Sequence, residues 1–306
     1  MAERGRAAVG RPPTADLGLL ALAVAGISTS APLIAATTAP VLAIAAWRCL
    51  LAAVATGPVA AWRQRAEIRR LSPRITTYAA VSGLTLAAHF AFWMTSLRFT
   101  SVASSTALVA TQPVWAALIA RRSGRDVPRR AWLGIGIALL GAFVLTGVDY
   151  SVSGRALFGD GLALVGALLA AAYVTIGEQV RRELSTATYT LIAYSASAVA
   201  LFLGCLLTGS AISGYSSSDW WKIIALTAAA QLLGHTLISR VLRTTSATVT
   251  SLAILFEMPG ATLVAAIWLR QVPSVAIWPA VALLFAGLSL VIASGDRETL
   301  LESPPG

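Results

Sequence analysis

Apolar runs long enough to cross a bilayer, broken by short polar or arginine-rich stretches, recur along the whole chain. A helix needs roughly 20 such residues to span a hydrocarbon core of about 30 Å. The runs predict spans at 15–37, 39–62, 75–97, 102–120, 131–148, 157–180, 188–209, 219–242, 246–269 and 275–294. A transmembrane barrel would show segments of about 10 residues with alternating polarity, and no such pattern occurs. Several connections are only a few residues long, so sequence neighbours should be antiparallel neighbours in space. The pattern predicts an all-α polytopic membrane protein with ten transmembrane helices.

Composition strengthens this picture. The 306 residues are 57% hydrophobic and 12% charged, with a mean hydropathy of +0.76; a soluble domain is about 25% charged. The basic N-terminal stretch runs into an apolar segment longer than a signal peptide's, so it reads as a first permanent span. The C-terminal DRETLLESPPG reads as a short disordered tail. The pI of 10.7 does not point to nucleic acid, because the arginines lie between apolar runs rather than on one polar face. Cys49 and Cys205, each inside an apolar run, fit packing rather than a disulfide or a metal motif.

Arginine placement tests the count. With the N-terminus in the cytoplasm, the inside segments hold eighteen arginines, clustered at 63–74 and 121–130, against four basic residues outside: Arg98, Arg155, Lys222 and Arg270. Cytoplasmic loops carry such an excess. An even number of spans, with both termini cytoplasmic, follows. The membrane expected is the cell (inner or plasma) membrane.

Sliding the chain by 146 residues places His89 on His235, Ser105 on Ser251, Pro113 on Pro259, Trp132 on Trp278 and Gly141 on Gly287, without a gap. Such self-similarity marks a repeat. Five spans per repeat is an odd number, so the halves must enter the membrane in opposite senses, as in many secondary transporters. The expected organisation is a cytoplasmic N-terminal tail (1–14), a first five-helix repeat (15–148), an external linker (149–156), a second, inverted five-helix repeat (157–294) and a cytoplasmic C-terminal tail (295–306).

The doubled five-span unit, Arg48 in AAWRCLLAAV, TQPVWAALIA at 111–120 and FEMPGATLVAAIWL at 256–269 resemble the EamA-like, ten-helix branch of the drug/metabolite transporter superfamily. The likeness runs over almost the whole chain, through short motifs. Family members often have Glu and Pro adjacent in the ninth span, whereas Met258 separates them here. The fourth and ninth spans also lack the family's terminal Gly-Glu pair, reading RRSGRD and LRQVPS instead. The resemblance implies export of amino acids, related metabolites or drugs through a central cavity.

Helical phase nominates the residues around such a cavity. At about 100° per residue, Ser82, Thr85, His89, Trp93 and Ser96 share one face of the third span. Thr227, Gln231, Gly234 and His235 share one on the eighth, and Thr250, Glu257, Ala261 and Val264 one on the ninth. A polar stripe must face protein or water. Ser82, Thr85 and Thr227 fit helix packing better; His89, Gln231 and His235 fit a cavity wall better. Trp93, Trp115, Tyr173 and Phe256 are the aromatic residues placed near it. Glu257 is the only acid deep in a span, whereas Asp16, Asp160 and Glu178 fall near span ends, where water is close. A central charge costs about 2.5–3.5 kcal/mol on insertion scales, so Glu257 must pair, meet water or take up a proton. Arg48, at mid-depth in the second span, is its alternative structural partner. Pro259 removes the donor to the Leu255 carbonyl, and Pro113 is its counterpart in the first repeat, where Thr111 replaces the acid. These prolines mark helix breaks of the kind that form transporter sites.

The expected substrate-binding set is therefore His89, Trp93, Thr111, Tyr173, Gln231, His235, Phe256 and Glu257, with Glu257 also the proton-coupling residue. No metal or cofactor is expected: the two histidines should differ in depth by roughly 10 Å at 1.5 Å rise per residue. No catalytic motif appears, so the chain reads as no enzyme, and it has no P-loop for direct ATP drive. The expected partners are a small-molecule solute and the lipid bilayer, not nucleic acid, with a homodimer left open. The function expected is secondary export of small metabolites such as amino acids. A lipophilic-drug or cation exporter is the first alternative, and an intramembrane enzyme or non-transporting sensor the second.

Overall fold

The computed structural model describes residues 13–100, 102–146, 153–268, 275 and 277–301. Most of the expected N-terminal tail and half of the external linker (149–152) therefore lie outside the described residues. The described residues form helices joined by short connections: α1 (Thr14–Ile27), α2 (Ser30–Ala35), α3 (Val41–Arg63), α4 (Arg65–Arg69), α5 (Pro73–Ser96), α6 (Val102–Val109), α7 (Gln112–Arg122), α8 (Arg129–Thr146), α9 (Gly154–Arg181), α10 (Thr186–Thr208) and α11 (Ser217–Leu226). A π-helical stretch (Thr227–His235), α12 (Thr236–Val241), α13 (Ala247–Ile254), α14 (Glu257–Trp268) and α15 (Ile277–Leu301) complete the order. Among the described residues, seven continuous segments are long and apolar enough to cross a membrane. One boundary needs correction: α15 continues to Leu301, so the helix takes in most of the stretch read as a disordered tail.

Local chemistry sets several starts and stops. Serine side chains cap five helices, with Ser72, Ser153, Ser185, Ser216 and Ser246 each accepting from a backbone N–H three residues on. Each cap satisfies a donor that a helix N-terminus otherwise leaves unmade. Gly209, at φ 67°, ends α10 in a left-handed turn that favours glycine.

The two halves are related by pairwise antiparallel packing of their matched helices. Where α8 crosses α15, a Cβ on Gly134 would meet the carbonyl of Gly287 at 2.7 Å, and one on Gly141 would meet that of Ala280 at 2.8 Å. Shifting by 146 turns 134 into 280 and 141 into 287, so the two contacts exchange places. That is the behaviour of a two-fold relation. Moving up α8 from 134 to 141 moves down α15, so the matched helices run in opposite senses. The same holds for α3 against α10, where Trp47 meets Phe202 at 5.3 Å and Gly57 faces Leu191. Small residues let these backbones approach closely, as in membrane helix pairs generally. The outward faces carry exposed residues such as Leu207, Ile267, Trp62 and Val199, a surface matched to lipid rather than water.

Candidate functional site

Four irregular stretches of backbone gather around one interior space. Between α13 and α14 the helix opens at Leu255 and Phe256, with Met258 N–H turning to the Leu255 carbonyl at 3.2 Å. Pro259 causes this, because it has no N–H to return to that carbonyl. The matched place in the first half behaves alike: α6 stops at Val109, α7 restarts at Gln112, and Pro113 follows. Between α1 and α2 the Ser28 and Thr29 hydroxyls donate to the Val24 and Gly26 carbonyls at 2.7 and 2.8 Å, and Pro32 cannot donate to the Ser28 carbonyl. A Cβ on Gly260 would meet the Ser28 hydroxyl at 2.1 Å, so two of the breaks are in direct contact. The fourth irregularity is the π-helical stretch Thr227–His235; such wider turns recur at functional sites.

The space enclosed by these segments is a cavity of about 70 Å³. Of the residues nominated from sequence, His89, Trp93, Tyr173, His235 and Glu257 line it. Gln231 stands behind the wall and accepts from Arg48 Nε at 2.8 Å. Thr111 lies off the cavity: its hydroxyl donates to the Leu108 carbonyl at 2.6 Å and accepts from the Trp115 indole at 3.2 Å. Phe256 is directed elsewhere too, with its ring 4.6 Å from that of Phe285. One residue, about 100° of helix, separates it from Glu257. Ser82, Thr85 and Thr227 are occupied in packing bonds, to Tyr189, to the Ser82 carbonyl and to the Ile223 carbonyl.

Arg48, Ser30, Phe90 and Gln112 also line the cavity. Arg48 is the alternative structural partner expected for Glu257, but the two are not within ion-pair distance of 4 Å. The guanidinium is 1% exposed. Besides Gln231 it reaches only the Ser30 hydroxyl, at 3.5 Å, and lies 4.4 Å from the Phe90 ring centroid. Its Nη2, the Trp93 indole N–H and His235 Nδ1 are buried without a hydrogen-bond partner among the described residues. Gln112 donates to the Ser251 hydroxyl at 3.0 Å, joining the two broken helices. A polar side chain immediately before Pro113 would have been the signal for Gln112.

The two histidines share the cavity. His89 Nδ1 faces the Gly166 carbonyl at 2.9 Å; a carbonyl only accepts, so Nδ1 carries the proton. The ring stacks on Trp93 at 5.7 Å. Phe90 touches both, at 5.4 Å from His89 and 5.6 Å from His235. Among the described residues no group of three or more His, Cys, Asp or Glu side chains could hold a metal ion.

The acids near span ends find protein rather than water. Glu178, 4% exposed, accepts from Arg125 at 2.7 Å, Arg182 at 3.1 Å and the Ala247 backbone N–H at 3.1 Å. It thereby ties the α7–α8 connection of the first half to α9 and α13 of the second. Asp16 accepts from Thr244 and Thr245, and Asp160 from Thr100.

Comparison with known proteins places this architecture. One crystal structure, whose description names no activity, matches with a TM-score of 0.77 over 95% of this chain and 99% of that one, at 18% identity. That likeness speaks to the fold alone. No curated protein sequence matches. The model of the EamA-like transporter family matches twice, over residues 14–147 and 157–293, and these are the two halves marked out by the repeat. The resemblance to the drug/metabolite transporter superfamily is thus borne out, and the chain belongs to the EamA-like transporter family.

Proposed function

We propose that the protein is a secondary transporter of the cell membrane that exports small metabolites such as amino acids by alternating access. Its ten crossings comprise two oppositely inserted groups of five, with both termini cytoplasmic. The observation that carries this reading is the interior cavity lined from both halves, with unpaired Glu257 in its wall beside a proline-broken helix. Transporters place substrate and coupling-ion sites at such breaks.

At about 70 Å³ the cavity is about half the ~150 Å³ void that admits benzene. A metabolite therefore enters only as the halves part, and this arrangement corresponds to a closed stage of the cycle. The antiparallel α3–α10 and α8–α15 pairs serve as the surfaces about which the halves rock.

Glu257 has no hydrogen-bond partner among the described residues, so it is free to take a proton or a cationic group of the solute. The charged and titratable groups that face it across the cavity are Arg48, His89, His235 and Tyr173. Proton coupling through Glu257 follows as the proposed drive. Counterflow by the purified protein in proteoliposomes, across a metabolite panel and with an imposed pH gradient, tests the reading. Exchange of at least one small metabolite supports it, and no exchange of any solute contradicts it.

A further inference from the structure

The cavity holds two formal charges that do not meet. On one wall the buried Arg48 guanidinium has no carboxylate within 4 Å among the described residues. Removing a cation from water without an anionic partner is costly. Of its five N–H groups, Nε and Nη1 are spent on Gln231 and Ser30, and Nη2 has no partner. The Trp93 indole N–H, also in the wall, is likewise unsatisfied. Two half-helices begin here, α7 at Gln112 and α14 at Glu257, and helix N-termini favour negative charge. On the other wall Glu257 is an acceptor without a donor. The space thus lacks an anion beside Arg48 and a cation beside Glu257.

Building on the transport reading above, which already names amino acids as solutes, we infer that Arg48 is the carboxylate receptor of the site and sets a preference for solutes that carry an α-carboxylate. The carboxylate accepts from Arg48 Nη2 and the Trp93 indole, and the ammonium group turns to Glu257. Arginine suits this role because its planar fork matches a carboxylate and is always charged. An amine without a carboxylate leaves Nη2 unsatisfied and brings a second positive charge toward it. The site therefore selects against simple amines and lipophilic cations through repulsion as well as lost bonding.

The test is counterflow in proteoliposomes with the twenty L-amino acids, choline and tetraethylammonium. It is followed by competition with the α-carboxamide of whichever amino acid is carried best. The carboxamide keeps the side chain and the ammonium group and loses only the anion. We expect at least one amino acid to exchange, and its carboxamide to compete at least tenfold more weakly. Arg48→Gln should lower that exchange at least tenfold, with Arg48→Lys retaining more. Equal competition by the carboxamide, or carriage of choline or tetraethylammonium in place of amino acids, overturns the role of Arg48 and leaves transport standing. So does undiminished exchange by Arg48→Gln. Should Arg48→Gln fail to fold, competition on the wild-type protein decides alone. No exchange of any solute removes the transport reading and this inference together.

Discussion

Arg48 and Glu257 border one cavity from opposite halves of the chain, yet no ion pair joins them. A pair that existed to hold the fold together would touch. Breaking a buried structural pair costs about 3–5 kcal/mol, whereas a side chain without partners has no such bond to lose. Glu257→Gln should therefore change stability by no more than about 1 kcal/mol. Thermal unfolding in detergent checks this; a loss of several kcal/mol would mean that Glu257 is structural.

The crossing of α8 and α15 makes a second, independent prediction. Gly134 and Gly287 each leave no room for a Cβ, with the partner's carbonyl at 2.7 and 2.5 Å, whereas Gly136 meets nothing within 4 Å. Gly134→Ala and Gly287→Ala should each destabilise by about 1–3 kcal/mol through overpacking. Gly136→Ala should be neutral or slightly stabilising, since alanine favours a helix over glycine by about 1 kcal/mol. Comparing the melting temperatures of the three variants is sufficient.

Glu178 satisfies two arginines and the N-terminal Ala247 N–H of α13. Truncation leaves the buried Ala247 N–H short of a partner, and an unmet buried donor costs about 1–3 kcal/mol. Glu178→Ala should lower the melting temperature markedly, and Glu178→Gln, which keeps an acceptor oxygen, should fall between it and the wild type. Identical melting of all three would show that the cluster does not bind the halves together.

Topology is open to direct labelling. Ser123 and Ser213 are exposed, in the α7–α8 and α10–α11 connections. Arginine placement puts the first inside and the second outside. In intact cells a membrane-impermeant maleimide should label Ser213→Cys and spare Ser123→Cys, because native Cys49 and Cys205 are buried. Labelling of both, or the reverse pattern, would contradict the proposed orientation.

How far the sequence revealed this can be judged residue by residue. Apolar run length located the helices to within a few positions, because the bilayer constrains length more tightly than most folds do. The shift that laid Pro113 on Pro259 also located both helix breaks. Phase placed His89, Trp93, His235 and Glu257 where they line the cavity, and Tyr173, nominated as an aromatic residue, lines it too. Thr111, nominated through its repeat match to Glu257, and Phe256, nominated as an aromatic residue, lie off the cavity, both at a helix break. Gln231 was placed on the right face but stands one layer back, holding Arg48. What the sequence could not show was which polar atoms would be left without partners. Satisfaction is a property of assembled neighbours: Arg48 looks like a partner for Glu257 until Gln231, Ser30 and Phe90 are found around it.

The most direct measurement is counterflow of a carried metabolite by wild-type and Glu257→Gln protein in proteoliposomes over a range of external pH. If Glu257 exchanges a proton during the cycle, wild-type transport varies with pH, while the variant is slowed at least tenfold and its residual rate is flat. Wild-type rates and an unchanged pH profile in the Glu257→Gln protein would contradict the assignment of this acid to the transport site.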